Sequence, residues 1–310
     1  MTTVQTQAQT QTQAQAREGS PASILVSGAT GTVGSLVVQG LARRGASVTA
    51  LVRKPGKAQL PAGVAEVVAD LSDIPSMRHA LSGVRTLFLL NAVTPDEVTQ
   101  ALQTLSLARE AGIERIVYLS VIHADEFVEV PHFTGKHTVE RMIERLDLPV
   151  TVLRPAYFMQ NDLQVQAVVE GYGVYPMPIG DAGVAMIDTR DLADVAVAEL
   201  LRRDAAPGPL PRDVLDVVGP EALTGASAAE TWSRVLQREI RYGGDDLAAF
   251  EAQLANAMPS WMAYDMRLMM ARIQEQGMKP AAGTVERLEA LLGRPLRRYE
   301  DLVKELAGAR

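Results

Sequence analysis

The chain of 310 residues contains no cysteine. Disulfides, thiolate nucleophiles and thiolate metal sites are therefore excluded. Histidine is scarce as well: His79, His123, His132 and His137 stand in no HExxH or other ligand spacing, so no metal is expected. No run approaches eighteen consecutive apolar residues, and the N-terminus offers no apolar stretch that would serve as a signal sequence. A soluble, cytoplasmic protein without a membrane partner is the expectation. An excess of base is missing too. Thirty Lys and Arg against 37 Asp and Glu leave a net charge of -7. A nucleic-acid binder neutralises phosphates with a basic face, so no nucleic-acid partner is expected.

What is present is ordinary for a globular protein. The 47% apolar fraction and 22% charged residues argue against collagenous, coiled-coil or wholly disordered chains. Residues 1–16 read MTTVQTQAQTQTQAQA, with nothing apolar to bury, so residues 1–22 are expected to form a flexible tail. From Ser23 short apolar runs alternate with helical patterns. ASILVSG (22–28) reads as a strand buried on both faces, and SVTALV (47–52), VAEVVA (64–69), TLFLL (86–90), RIVYLS (115–120), PVTVLR (149–154) and DVLDVV (213–218) read as further strands. Val33, Leu36, Val37, Gly40 and Leu41 share one helical side, and Arg43-Arg44-Gly45 closes that helix. Thr94-Pro95-Asp96-Glu97 reads as a capping box opening a helix that ends at Ala111-Gly112. Pro75–Leu81 and Gly135–Leu146 read as further helices, and the segment after Val218 as helical, with Asp245–Ala257, Pro259–Gln276, Val285–Leu292 and Tyr299–Leu306 as candidates. The alternation predicts an α/β fold with a doubly wound parallel sheet. Residues 53–63 hold two prolines and two glycines, too many for a crossover helix of more than a turn or two.

Between the first strand and the first helix stands Ser27-Gly28-Ala29-Thr30-Gly31-Thr32-Val33-Gly34, a GxxGxxG run. A glycine pattern alone also marks structural turns. Placed between strand and helix, it reads as a phosphate loop: Gly28, Gly31 and Gly34 allow a tight turn and close backbone approach, and Thr30, Thr32 and Val33 lie where a pyrophosphate meets the helix N-terminus. About twenty residues on, where an NAD binder carries a carboxylate for the ribose, stand Arg53 and Lys54. Guanidinium pairs with a 2′-phosphate, so NADP(H) is the expected cofactor, although two cations at a strand end also suit a solvated turn. Asp70 and Leu71, past the third strand, stand where an adenine edge would be met.

GATGTVG, ALVRKPGKA, VVADLSD, RIVYLS, PHFTGKHTVERMIERLDLPVTVLRPAYFMQN and MIDTRDLADVA together resemble the NmrA-like branch of the atypical short-chain dehydrogenase/reductases, from about Ile24 to about Tyr242. The resemblance implies a Rossmann sheet carrying NADP(H), with Arg53 on the 2′-phosphate, Asn91 and Ala92 flanking the cofactor, and Ser120, Lys136, Pro155, Tyr157 and Phe158 around the nicotinamide. The order of strands and helices divides the chain into an expected NADP(H)-binding part, residues 23–155 and 185–218, and a smaller, mostly helical substrate-binding part, residues 156–184 and 219–310.

One departure bears on chemistry. The wider family uses YxxxK, with tyrosine as proton donor. Here the stretch is His132-Phe133-Thr134-Gly135-Lys136. A histidine can act as general acid near neutral pH, and Tyr157 is a substitute donor; His132 can equally pack or cap the helix start. Lys136 stands four residues before Glu140, so a helix-surface ion pair is its structural alternative. Asp188-Thr189-Arg190-Asp191 reads as a helix cap. Met258, Met262, Met266, Met269, Met270 and Met278 suit core packing or, with Trp261, an apolar wall for a flat substrate. Two functions follow: an NADPH-dependent reductase of a small apolar electrophile such as a quinone or enone, working as monomer or homodimer, or an NADP(H)-binding redox sensor without turnover.

Overall fold

A computed structural model describes residues 23–56 and 59–308; the tail expected over residues 1–22 lies outside them. Seven strands, β1 (Ser23–Val26), β2 (Val48–Val52), β3 (Ala65–Val68), β4 (Val84–Leu89), β5 (Ile116–Leu119), β6 (Val150–Pro155) and β8 (Asp213–Val217), pair in the order β3-β2-β1-β4-β5-β6-β8, all parallel. The doubly wound sheet expected from the alternation is present. The chain reverses direction of winding between β1 and β4, and the carboxyl ends of these two strands are where this architecture places ligands.

Successive strand residues face opposite cores. Ile24 and Val26 of β1 pack with α1 (Thr32–Arg43) and α6 (Thr189–Ala205), whereas Leu25 packs with α2 (Ile74–Leu81), α3 (Glu97–Glu110) and α4 (Pro131–Arg145). Each fully buried Val, Leu or Ile contributes about 1.5–3 kcal/mol to holding these layers. No helix stands between β2 and β3 among the described residues, as the prolines there require.

Two helix starts differ from expectation. The Thr94 capping box does not form. Thr94 Oγ1 and Gln100 Nε2 instead donate to the Asp96 carboxylate at 2.8 and 2.9 Å, which holds it below the usual carboxylate range, and the helix begins at Glu97. The fourth helix begins at Pro131 rather than Gly135, because proline suits the first helical position. His132 is thereby inside the helix, one turn before Lys136.

The remaining elements fold beyond the sheet's carboxyl edge and along its β8 side. After β6 come a 3₁₀ turn (Met159–Gln164), α5 (Gln166–Tyr172) and β7 (Val174–Tyr175), which pairs with β9 (Arg241–Tyr242) in a small parallel ladder that the sequence did not suggest. α7 (Gly225–Leu236), α8 (Leu247–Leu254), α9 (Ser260–Gln276), α10 (Thr284–Leu292) and α11 (Tyr299–Gly308) complete the chain. The Pro-rich loop before β8 is held by Arg203, fully buried, which donates to Thr151 Oγ1 at 2.6 Å and to the carbonyls of Pro149, Leu210 and Pro211. α11 is fastened at Asp162: Tyr299 and Tyr175 hydroxyls donate to its carboxylate, and Trp232 Nε1 donates to the Tyr299 oxygen at 2.9 Å. Burial outweighs those donors and pushes Asp162 up to about 6. Among the described residues no helix is long and apolar enough to cross a membrane.

Candidate cofactor and active site

β1 and β4 are joined at their carboxyl ends by one side chain. Ser27 Oγ donates to Leu90 O at 2.9 Å and accepts from Leu90 N–H at 2.8 Å, so the loops following the two strands are held together. Gly28 has φ +62°, and a Cβ on it would stand 2.4 Å from Leu90 Cδ2; a Cβ on Gly34 would stand 2.1 Å from Gly28 O. The packing of helix on loop requires glycine at position 34, and the left-handed backbone and the nearby Leu90 require it at position 28. Gly31 is different. A Cβ there meets only Gly28 O, at the ordinary distance of 3.4 Å, so nothing inside the protein demands glycine. Its outer side is exposed, as are Thr30 and Thr32. No side chain caps α1, whose first-turn N–H groups lack intrahelical acceptors and lie at the positive end of the helix. The loop is thus shaped to let an anionic group touch backbone at Gly31, Thr32 and Val33.

The rim of this cradle carries free cations and an unpaired amide. Arg53 and Lys54 are exposed just past β2, and neither forms an ion pair with a carboxylate among the described residues. The nearby Glu66 on β3 accepts instead from Gly56 N–H at 3.1 Å. Asp70 Oδ1 accepts from Ser72 N–H at 2.8 Å, Leu71 packs against the α2 side of the sheet, and Asp73 caps α2. Asn91, in the loop after β4, is 7% exposed, and both its Oδ1 and Nδ2 are buried without a partner. A buried amide left so costs about 1–3 kcal/mol, a cost that a bound polar ligand removes. Ala92 beside it is exposed. The expected dinucleotide fits these groups: backbone for the diphosphate, cations after β2 for a further phosphate, and Asn91 after β4, on the opposite side of the glycine loop from the cations.

At the ends of β5 and β6 the polar groups are already engaged. Lys136 Nζ, nearly buried, donates to Glu97 Oε1 at 2.6 Å and stands 5.9 Å from the Tyr118 ring centroid. The ion pair suggested with Glu140 does not form. Glu140 turns inward, accepts from Ser120 Oγ, and takes the Arg154 guanidinium as a second partner. Arg154 also approaches Asp125 at 3.5 Å. Pro155 ends β6. Tyr157 N–H donates to Met278 Sδ at 3.1 Å, and its phenol is pushed far above the usual range by burial and by the neighbouring Asp162 charge. Phe158 is half-buried and bridges to Ile187.

His132 meets a partner from the far end of the chain. Its Nδ1 lies 2.9 and 2.8 Å from the two oxygens of Asp265 on α9. Sequence reasoning missed Asp265, as it missed Glu97 and Arg154. A signal for Asp265 existed: it shares the buried stripe of α9 with Met269 and Ile273, at i, i+4 and i+8, where an acid needs a partner. Met269, Met270 and Met278 are core residues, Met262 and Met266 half-buried, and Trp261 38% exposed. Asp188 caps α6 and pairs with Arg190, so that motif is structural.

A sequence model of the NmrA-like family matches residues 21–301. NAD(P)H azoreductase of Xenophilus azovorans is 32% identical over 291 residues, spanning 92% of this chain and 98% of the relative. A (4-alkanoyl-5-oxo-2,5-dihydrofuran-3-yl)methyl phosphate reductase of Streptomyces griseus is 33% identical over 92% of this chain and 98% of its own length. The crystal structure of an NADPH-dependent quinone oxidoreductase from Escherichia coli, complexed with NADPH, aligns with a TM-score of 0.81 at 25% identity, over 92% of this chain and 99% of that one.

Proposed function

The chain belongs to the NmrA-like family, and from that premise we propose that it is an NADPH-dependent reductase of small, flat, apolar electrophiles of the quinone or enone class. The observation that carries this reading is the convergence, at one sheet edge, of the uncapped N-terminus of α1, the unpaired Arg53 and the buried, unpartnered Asn91. Thr32 and Val33 would hold the diphosphate through backbone N–H groups, with Gly31 leaving room for its approach, Arg53 and Lys54 would hold the 2′-phosphate, and Asn91 the groups between diphosphate and nicotinamide. Ser120, Lys136 and the Pro155–Phe158 segment would border the nicotinamide. When bound, NADPH supplies a hydride to the substrate, which leaves the reduced product one proton short. The reductase names of the azoreductase, furanyl phosphate reductase and quinone oxidoreductase support the same class of reaction.

A second reading, an NADP(H)-binding sensor without turnover, is favoured by one observation: Lys136 and Ser120 are already satisfied by Glu97 and Glu140. NADPH oxidation against a panel of quinones, enones and azo dyes separates the two. Turnover with any acceptor supports the reductase; micromolar NADPH binding without turnover supports the sensor and overturns the reductase. For the cofactor, Arg53→Asp is expected to weaken NADPH binding about 10–100-fold, the loss of one charge-assisted phosphate pair and its replacement by repulsion, while NADH binding changes little. Equal losses for both would remove Arg53 from the phosphate.

A further inference from the structure

We infer that Asp265 is a positioning residue for His132 and that the pair delivers the proton completing the reduction, an inference that rests on the reductase reading above. The two residues are 133 positions apart, on α4 and α9, yet both Asp265 oxygens lie within 2.9 Å of His132 Nδ1. Asp265 is 1% exposed and the His132 side chain 10%. A carboxyl group at that depth needs hydrogen-bond donors or a compensating charge. Among the described residues its partner is the imidazole alone, because the neighbouring cations are committed elsewhere: Lys136 to Glu97 at 2.6 Å, Arg267 to Glu251 at 3.2 Å, and Arg272 to Glu129 and Glu275 at 3.2 and 2.7 Å.

The geometry assigns distinct tasks to the two ring nitrogens. Nδ1–H donates to Asp265, which leaves Nε2 as the nitrogen that exchanges a proton with substrate. Nε2 has no hydrogen-bond partner among the described residues and is not one of the buried unpaired atoms. The Phe133 ring, edge-on with centroids 4.7 Å apart, fixes the imidazole from another side. His132 and Lys136 stand at i and i+4, on one face of α4, so the imidazole lies one turn from the lysine that the reductase reading sets beside the nicotinamide. In the transfer, the Nε2–H bond breaks as an O–H bond forms on the anionic product. The imidazolium becomes a neutral ring still protonated at Nδ1, and water reloads Nε2. Asp265 keeps its charge throughout, stabilising the imidazolium before transfer and the Nδ1–H tautomer after it.

A simple latch between α4 and α9 would use the same contact, so the test must separate positioning from fastening. Asp265→Asn, His132→Asn and the double variant are assayed with NADPH and 1,4-benzoquinone. Asp265→Asn is expected to lose about 10–100-fold in kcat, the usual cost of removing an orienting partner, and His132→Asn about 100-fold or more, the cost of removing a general acid, each with the Kd for NADPH within about twofold of the parent. The double variant is expected to be no slower than His132→Asn, because a positioning residue has nothing left to position. In His132→Asn the new amide can still donate to Asp265, so that variant decides the matter even where Asp265→Asn does not fold. An independent readout uses the cofactor-free protein: imidazole ¹⁵N shifts should place the neutral proton on Nδ1 in the parent and on Nε2 in Asp265→Asn. The inference is overturned if the parent turns over while either single variant keeps full kcat, if the two losses multiply in the double variant, or if the parent's neutral ring is protonated at Nε2. If the parent binds NADPH yet reduces nothing, the reductase reading falls and proton delivery with it, while the ¹⁵N shifts still decide whether Asp265 sets the tautomer.

Discussion

At the cradle end, Thr32, Val33 and Arg53 present N–H groups and a guanidinium that no described side chain engages; at the proposed reaction end, Ser120, His132 and Lys136 are each already bonded to a carboxylate. The first end is built from backbone and is open before any ligand arrives. The second is built from side chains that have been taken out of water and are compensated by Glu140, Asp265 and Glu97. Binding an anion needs donors held ready, which a helix terminus supplies without further assembly. Moving a proton needs titratable groups in a dry place, and a dry place demands partners.

The contrast can be broken most severely at Gly34. A Cβ there lies 2.1 Å from backbone at Gly28, so Gly34→Val should abolish NADPH binding and cost several kcal/mol of stability as the loop is pushed off the helix. Thermal unfolding and a cofactor titration read both effects. At the other end, Lys136→Met leaves Glu97, 6% exposed, without its cation. About 3–5 kcal/mol of stability should be lost by urea unfolding, and Lys136→Met with Glu97→Gln together should recover most of it. If the single variant were as stable as the parent, the claim that this end depends on paired charges would fail.

Asp162 sharpens the comparison, because it is a buried carboxylate served by hydroxyls and not by a cation. Its value of about 6 in the folded state stands above the ordinary 3.8. The folded protein therefore holds this proton more tightly than the unfolded chain, and the associated stability is fully present below about pH 4 and is lost as pH rises to about 6. Two pH units correspond to about 3 kcal/mol. The difference in stability between the parent and Asp162→Asn, measured by denaturant at pH 4 and pH 7, should change by roughly that amount, in favour of Asn at the higher pH. The smallest effect belongs to Gly31→Ala. The fold has room for the methyl group, so the unfolding midpoint should stay unchanged while NADPH affinity falls about tenfold, or 1.4 kcal/mol. A loss of stability there would show that the loop's own packing, and not ligand approach, requires the glycine.

The same division explains what could be read from the sequence. The seven strands, the glycine loop and Arg53 are local: each rests on residues a few positions apart, whose spacing carries the physics. Even locally, competition misleads. Thr94 and Asp96 have the composition of a cap, yet Gln100 and Thr94 capture the Asp96 carboxylate and the helix starts at Glu97. The start of α4, expected at Gly135, lies at Pro131, so His132 stands inside the helix and not ahead of it. The partners at the reaction end were not legible, because Glu97–Lys136 spans 39 positions and His132–Asp265 spans 133. Only the folded sheet brings those pairs together.

That separation also sets an order in time. A nascent chain leaves the ribosome N-terminus first, so β1, α1 and the loop after β4 emerge well before α9. The cradle can be assembled while Asp265 is still untranslated, and His132 waits for its partner until α9 has emerged and docked. The helix that completes the proton path arrives only after all seven strands of the sheet.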